Sequence, residues 1–258
     1  MKRNKELGFT IIEVSFFLAI SGLMAVGLLA SSGATINSHR YRDSVNSLQS
    51  QLQHEFTKAE NVQNARSGSE SCGSNAEVID HSVAPRGTSE CVLLGRYVAI
   101  EGDKIGSYPV IARSTATTDD SLNDIDYLKS YVIKADTREG SRLDEGRKWG
   151  NSIAYSSGFP SNPRGTTRSV YLLIVRSPKS GLIYSFSSAR NLGATGSNLA
   201  EMVMQSASGS DFGRTRQVLC VKQEVSTRLS PLGVAIEANI TNPNGIQIIS
   251  NDTESGRC

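Results

Sequence analysis

From Phe9 to Ala30 the sequence runs 22 residues with 16 apolar side chains and a single charge, Glu13. As a helix rising about 1.5 Å per residue, this stretch would extend roughly 33 Å, enough to cross the hydrocarbon core of a bilayer. Lys2, Arg3 and Lys5 precede it. Basic flanks stay on the cytoplasmic side, which leaves the rest of the protein outside. A secretory signal peptide or a signal anchor has the same outline, and Ala, Gly and Ser residues between Ala25 and Ala34 would suit a cleavage site. Neither accounts for Glu13. A carboxylate inside a spanning segment costs about 2.5–3.5 kcal/mol, and such residues are usually functional. A cut between Gly8 and Phe9 would place a new α-ammonium at the start of the helix. Glu13 could then pair with that amine on a neighbouring copy, in low dielectric.

The helical pattern continues past the apolar run, with no proline before Pro85. Tyr41, Val45, Leu48, Leu52, Phe56, Ala59 and Val62 recur at steps of three and four, one stripe of a helix. Arg42, Asp43, Gln49, Gln53, Lys58 and Glu60 occupy polar positions opposite. A helix from Phe9 to about Asn64 would be roughly 84 Å long. A coiled-coil stalk would need more heptads and regular flanking charges. Packing of the stripe against the protein's own globular part is the better account.

Gly8-Phe9-Thr10-Ile11-Ile12-Glu13-Val14 after a short basic leader resembles the type III signal of type IV pilins and pseudopilins. In that family a membrane-embedded prepilin peptidase cuts after the glycine and N-methylates the following phenylalanine, and the glutamate assists filament assembly. The resemblance implies that Gly8 is the cleavage residue, Phe9 the methylated new terminus and Glu13 the assembly carboxylate. Gly22 falls where the family often has glycine. Ala30 stands where many major pilins have a helix-breaking proline, a departure from their pattern. The match extends over about the first thirty residues. It divides the sequence into a leader (1–8), a transmembrane and assembly helix (9–30), its amphipathic continuation (31–64) and a β-rich head (65–258).

The head reads as short strands joined by turns. Cys91–Glu101 and Ile105–Ala112 flank Gly102-Asp103-Lys104, and Leu128–Lys134 is a third strand. Val170–Arg176 and Leu182–Ser187 flank Ser177-Pro178-Lys179-Ser180-Gly181. Gln217–Glu224, Leu232–Ile240 and Ile246–Ser250 follow, with Asn242-Pro243-Asn244-Gly245 as the last turn. Asn198–Gln205 suits a short helix. The expected class is α+β: a long N-terminal helix packed on an antiparallel sheet. Lys134–Lys148, with five basic and four acidic residues, reads as a solvated loop. Asp119, Asp120, Asp124 and Asp126 have no glycine among them for the sharp turn of a calcium loop, so they read as a polar loop too.

Cys72, Cys91, Cys220 and Cys258 would lie outside the cytoplasm, where an even count without Cys-x-x-Cys favours two disulfides over metal ligation. Of three pairings, locality favours Cys72–Cys91 and Cys220–Cys258, each adding about 3–4 kcal/mol by loop-closure entropy. Free thiols remain the alternative in a reducing setting. The second pair is also similar to the disulfide-bounded C-terminal region of many type IV pilins.

Beyond Gly8 the sequence has 24 basic and 24 acidic residues, which argues against a nucleic-acid surface spread over the whole head. It holds no Walker loop, nucleophile elbow or His-Glu-x-x-His. His39 and His54 are about four helical turns apart, too far for one site, and neither is near His81 in sequence. Gly193-Ala194-Thr195-Gly196 reads as a turn. The expectation is no enzyme, no cofactor and no metal. Family resemblance and a processed length of 250 residues (258 less the eight of the leader) together imply a minor pilin, a structural subunit of a type IV pilus or related filament. It would begin as a single-pass membrane protein with an extracytoplasmic head and end in an extracellular fibre. The implied partners are other pilin subunits, the prepilin peptidase and the cytoplasmic membrane. A pseudopilin of a type II secretion system is the alternative. So is a competence or adhesive pilin whose head binds DNA or a surface, with Arg214 and Arg216 beside Phe212, or Arg164 and Arg168, as its basic patches; solvated arginines without a ligand are the simpler account of both.

Overall fold

A computed structural model describes residues 10–61, 70–80, 91–115, 121–138, 143–146, 152–154, 167–193, 198–204, 212–213, 216–222, 230–250 and 258. The first element, α1 (Ile11–Glu60), is one helix of 50 residues, roughly 75 Å at the usual rise. It runs without interruption through Ala30.

Two hairpins open the head. The first is short: β1 (Glu70–Cys72) with β2 (Val78–Asp80). The second, β3 (Cys91–Glu101) and β4 (Lys104–Ser114), turns at Gly102, whose φ of +58° suits a residue without a side chain. Then come α2 (Asp124–Lys129), β5 (Tyr131–Ala135), β6 (Leu143–Gly146), β7 (Ser152–Ala154), β8 (Ser169–Arg176), β9 (Ile183–Ser188), α3 (Ala200–Met204), β10 (Phe212–Gly213), β11 (Gln217–Lys222), β12 (Leu232–Ile236) and β13 (Ile246–Ser250). Every pairing among these strands is antiparallel. The main sheet has the order β10-β9-β8-β3-β4-β5, and β6 pairs with the start of β4 along the edge that β5 occupies further on. The smaller sheet has the order β13-β12-β11-β7. The architecture is thus α+β, a long apolar N-terminal helix followed by antiparallel sheets.

Strand parity builds a core on each face of the main sheet. On β3 and β8, Val98, Ile100, Val170, Leu172 and Ile174 face α1, where they meet the buried stripe Tyr41, Val45, Leu48, Leu52, Phe56 and Ala59. Leu219, Val221, Val234, Ile236 and Ile246 of the smaller sheet join this cluster, so α1 packs against both sheets. The intervening residues Tyr97, Ala99, Tyr171, Leu173 and Val175 point the other way, into a second core closed by Leu128 of α2 and Ala200, Met202 and Val203 of α3. The main sheet is therefore covered on both sides, where one sheet laid over the helix was expected.

Three local expectations are corrected. Leu128 lies in the last turn of α2 instead of starting a strand, and β5 begins at Tyr131. Asn123 caps α2 by accepting from the Asp126 amide, and Asp124 and Asp126 occupy the first turn with Lys129 in the last, charges that suit the helix dipole. Two of the four clustered aspartates thus belong to a helix; Asp119 and Asp120 lie outside the described residues. The stretch Lys134–Lys148 is not all loop: Lys134 lies in β5, and Leu143–Gly146 pairs with Lys104–Ser107. Arg168 is buried, donating to the Val218 carbonyl at 2.8 Å and to Gln217 Oε1 at 2.7 Å.

Cys72 is bonded to Cys91 and Cys220 to Cys258. The second bond holds residue 258 over the smaller sheet, where a Cβ on Gly233 would come within 2.7 Å of Cys258 Sγ. Changing Cys220 and Cys258 together to serine is expected to lower stability by about 2–5 kcal/mol, measured by denaturant unfolding under non-reducing conditions. An unchanged midpoint would show that the bond does not form.

Candidate functional site

The two halves of α1 differ in what surrounds them. From Ile11 to Leu29 every large apolar side chain is exposed, Ile11 at 86% and Leu29 at 74%, whereas the stripe from Tyr41 to Ala59 is at most 3% exposed. Among the described residues α1 is the one helix long and apolar enough to cross a membrane. Three hydroxyls in its N-terminal part bond locally: Ser15, Ser32 and Thr35 each donate to the carbonyl four residues earlier. The start of the helix is a capping box. Thr10 N–H and Thr10 Oγ donate to Glu13 Oε2 at 2.9 and 3.0 Å, and Glu13 N–H donates to Thr10 Oγ at 3.3 Å. Glu13 thus closes the first turn of an apolar helix. Gly8 and Phe9 lie outside the described residues.

The other half of α1 is fastened to the head by polar contacts that the periodicity does not announce. Tyr41 hydroxyl donates to the Val221 carbonyl at 3.0 Å and accepts from Leu232 N–H at 2.6 Å. The β11–β12 register runs from Gln217↔Ile236 to Cys220↔Gly233, so the phenol stands where the next rung would be. Gln49 and Gln53 donate to the Ile246 carbonyl at 2.9 and 3.2 Å; both turn toward the smaller sheet instead of water. Tyr41→Phe is expected to cost about 1–3 kcal/mol by stranding Val221 C=O and Leu232 N–H. A difference near zero in denaturant unfolding would show that the two groups re-pair directly.

On the main sheet the fastening is ionic. Glu55, 7% exposed on the flank of the stripe, accepts from Lys58 Nζ at 2.7 Å, from Arg96 Nε at 2.9 Å and from Ser107 Oγ. Arg96 in turn donates to Ser107 Oγ at 2.7 Å. Burial pushes the Glu55 carboxyl up, but the Lys58 and Ser107 hydrogen bonds and the Arg96 charge outweigh it and leave its pKa below the ordinary carboxylate value. A small cleft of about 30 Å³ opens beside it, lined in part by Gln51, His54 and Ile105, with room for about one water. Sequence reasoning missed Glu55. The available signal was an acid between Leu52 and Phe56, inside the arc that the stripe buries.

The remaining candidates are accounted for by packing. His39 and His54 are exposed on α1, while His81 lies outside the described residues. Among the described residues no three His, Cys, Asp or Glu side chains converge as metal ligands would. Arg216 pairs with Glu237 at 2.8 Å; Arg164, Arg214 and the side chain of Phe212 lie outside the described residues. Asp124 accepts from Tyr184 at 2.8 Å and from Ser180, tying the β8–β9 turn to α2, and these bonds, led by Ser180, hold its carboxyl below the ordinary range. Gly193 is buried against Tyr97, where a Cβ would come within 2.2 Å of the ring, so close packing explains this glycine; 194–197 lie outside the described residues. Behind it Tyr97 hydroxyl donates to Asn191 Oδ1 at 3.1 Å, and Asn191 and Tyr171 both donate to Glu101 Oε1, at 2.8 and 2.7 Å. Burial, with the Glu101 carboxylate beside it, pushes Tyr171 up to about 12. These groups hydrogen-bond one another.

The arrangement offers an exposed apolar helix with a carboxylate in its first turn, locked at its other end against the two larger sheets of the head. No family model, curated protein or solved structure matches the sequence or the fold.

Proposed function

We propose that this protein is a minor structural subunit of a type IV pilus or a related filament, cut between Gly8 and Phe9, methylated on Phe9 and assembled through its N-terminal helix. One observation carries the reading. A single helix of 50 residues leaves its N-terminal half apolar and uncovered while burying its C-terminal half in the head. Apolar side chains from Ile11 to Leu29 must be covered by lipid, by other helices, or by each in turn, because water around them is costly. A subunit that waits in a membrane and then packs into a fibre meets both conditions. The role is structural, and Arg168 and Arg216, held in contacts within the head, lend no support to a DNA-capturing head.

Two measurements test the reading. Terminal sequencing of the exported protein should begin at Phe9; a start elsewhere would refute processing at this signal. Glu13→Ala should leave membrane insertion intact or improved, since it removes a carboxylate worth about 2.5–3.5 kcal/mol of insertion penalty, while incorporation into fibres is lost. Normal incorporation of that variant would overturn the assembly role.

A further inference from the structure

The turn Pro243–Gly245, a single 3₁₀ turn between Ile240 and β13, contains the sequence's sole Asn-Gly pair, Asn244-Gly245. Four observations converge on it. Asn244 is exposed. Its backbone N–H donates to Asn242 Oδ1 at 3.0 Å, whereas no hydrogen bond among the described residues holds its side-chain amide. The Gly245 N–H is held only by a long contact of 3.4 Å to the Asn242 carbonyl, near the outer limit for such a bond. Finally, Gly245 cannot be otherwise, because a Cβ there would lie 1.7 Å from Ile240 Cγ2. The packing that requires glycine also leaves the amide nitrogen after Asn244 without a side chain to shield it.

We propose that Asn244 is a site of spontaneous deamidation in the folded protein. The Gly245 backbone nitrogen, its proton taken by hydroxide, attacks Cγ of Asn244. The new N–Cγ bond closes a five-membered imide as the bond from Cγ to Nδ2 breaks and ammonia leaves with a proton from water. Water then adds to either imide carbonyl and opens the ring, giving aspartate or isoaspartate at position 244. Nothing is oxidised or reduced, and solvent supplies the only co-reactant. The isoaspartate product lengthens the backbone by one methylene. It does so beside the Ile236↔Ile246 pair and the Gln49 and Gln53 contacts to the Ile246 carbonyl, where α1 is fastened to the smaller sheet.

The test is ageing of the full-length protein in detergent, in mildly alkaline buffer at physiological temperature, followed by peptide mapping that separates aspartate from isoaspartate. A synthetic peptide spanning 240–249 is aged beside it. The expected result is conversion at position 244 no more than about tenfold slower than in the free peptide, a barrier difference of about 1.4 kcal/mol. Circular dichroism on the same samples should show the fold retained, and Asn244→Gln should lack the signal. Asn244 remaining intact in the folded protein while the peptide converts would overturn the proposal, as would conversion confined to an unfolded fraction.

Discussion

Glu55→Ala is expected to destabilise the protein by about 3–5 kcal/mol, because it leaves a guanidinium buried without its anion. Arg96 has a side chain only 12% exposed, and with Glu55 gone its remaining partner among the described residues is the neutral Ser107 hydroxyl. The double replacement Glu55→Leu with Arg96→Leu should recover most of the loss, since an apolar pair of similar volume removes both desolvation penalties. Denaturant unfolding of Glu55→Leu, Arg96→Leu and the double gives the coupling energy directly. A loss below about 1 kcal/mol for Glu55→Ala would mean that water entering the adjoining cleft solvates Arg96. The pH dependence has a definite sign. Because the folded pKa of Glu55 is depressed, its contribution is present above the unfolded value and fades as pH falls through the folded value. Glu55→Gln should flatten that acid limb.

Gly95→Ala should be as severe, for a steric reason. A Cβ at Gly95 would sit 2.0 Å from the Ile174 carbonyl oxygen, a backbone atom of the neighbouring strand with no rotamer to escape into. Gly95 follows the register shift of β3 at Leu94 and pairs with Val175 of β8. Accommodating a methyl group would spread the two central strands, so the expected loss is above about 4 kcal/mol, in the exceptional class of single changes. Gly102→Ala serves as the milder comparison. There the obstacle is a φ of +58° with Thr167 Cγ2 at 3.1 Å, and the expected cost is about 1–2 kcal/mol. If Gly95→Ala folds with the parent's stability, β3 and β8 are not held as closely as described.

How far the amino acids announce this architecture differs from element to element. The helix stripe from Tyr41 to Ala59 follows a 3.6-residue period, and all its members are buried. Long β-branched and aromatic runs mark β3, β4, β8 and β9, because local pattern and tertiary role agree there. In the smaller sheet β11, β12 and β13 are legible and β7 is hidden. Ser152–Ala154 has three residues and no pattern, and pairs with β11 across a long stretch of sequence. Leu143–Gly146 has a composition poor for strands, and pairing with β4 overrides it. The run Val170-Tyr171-Leu172-Leu173-Ile174-Val175 holds the cue to the second core: an antiparallel strand wet on one face alternates, whereas this one is apolar throughout. At the site, Glu13 stands out because a lone charge in an apolar run is conspicuous. Glu55 stands out less: its place between Leu52 and Phe56 is the one cue in the sequence, and on a stem of mixed polarity that cue is faint until Arg96 and Ser107 of the partner strands are seen.

Burial of the main sheet from both sides limits where evolution can write recognition into this head. Among the described residues both broad faces are packed, one against α1 and the smaller sheet and the other against α2 and α3. Novelty has to accumulate at the perimeter, in turns, strand ends and the outer flanks of the short helices. Residues there can be exchanged without reopening either core.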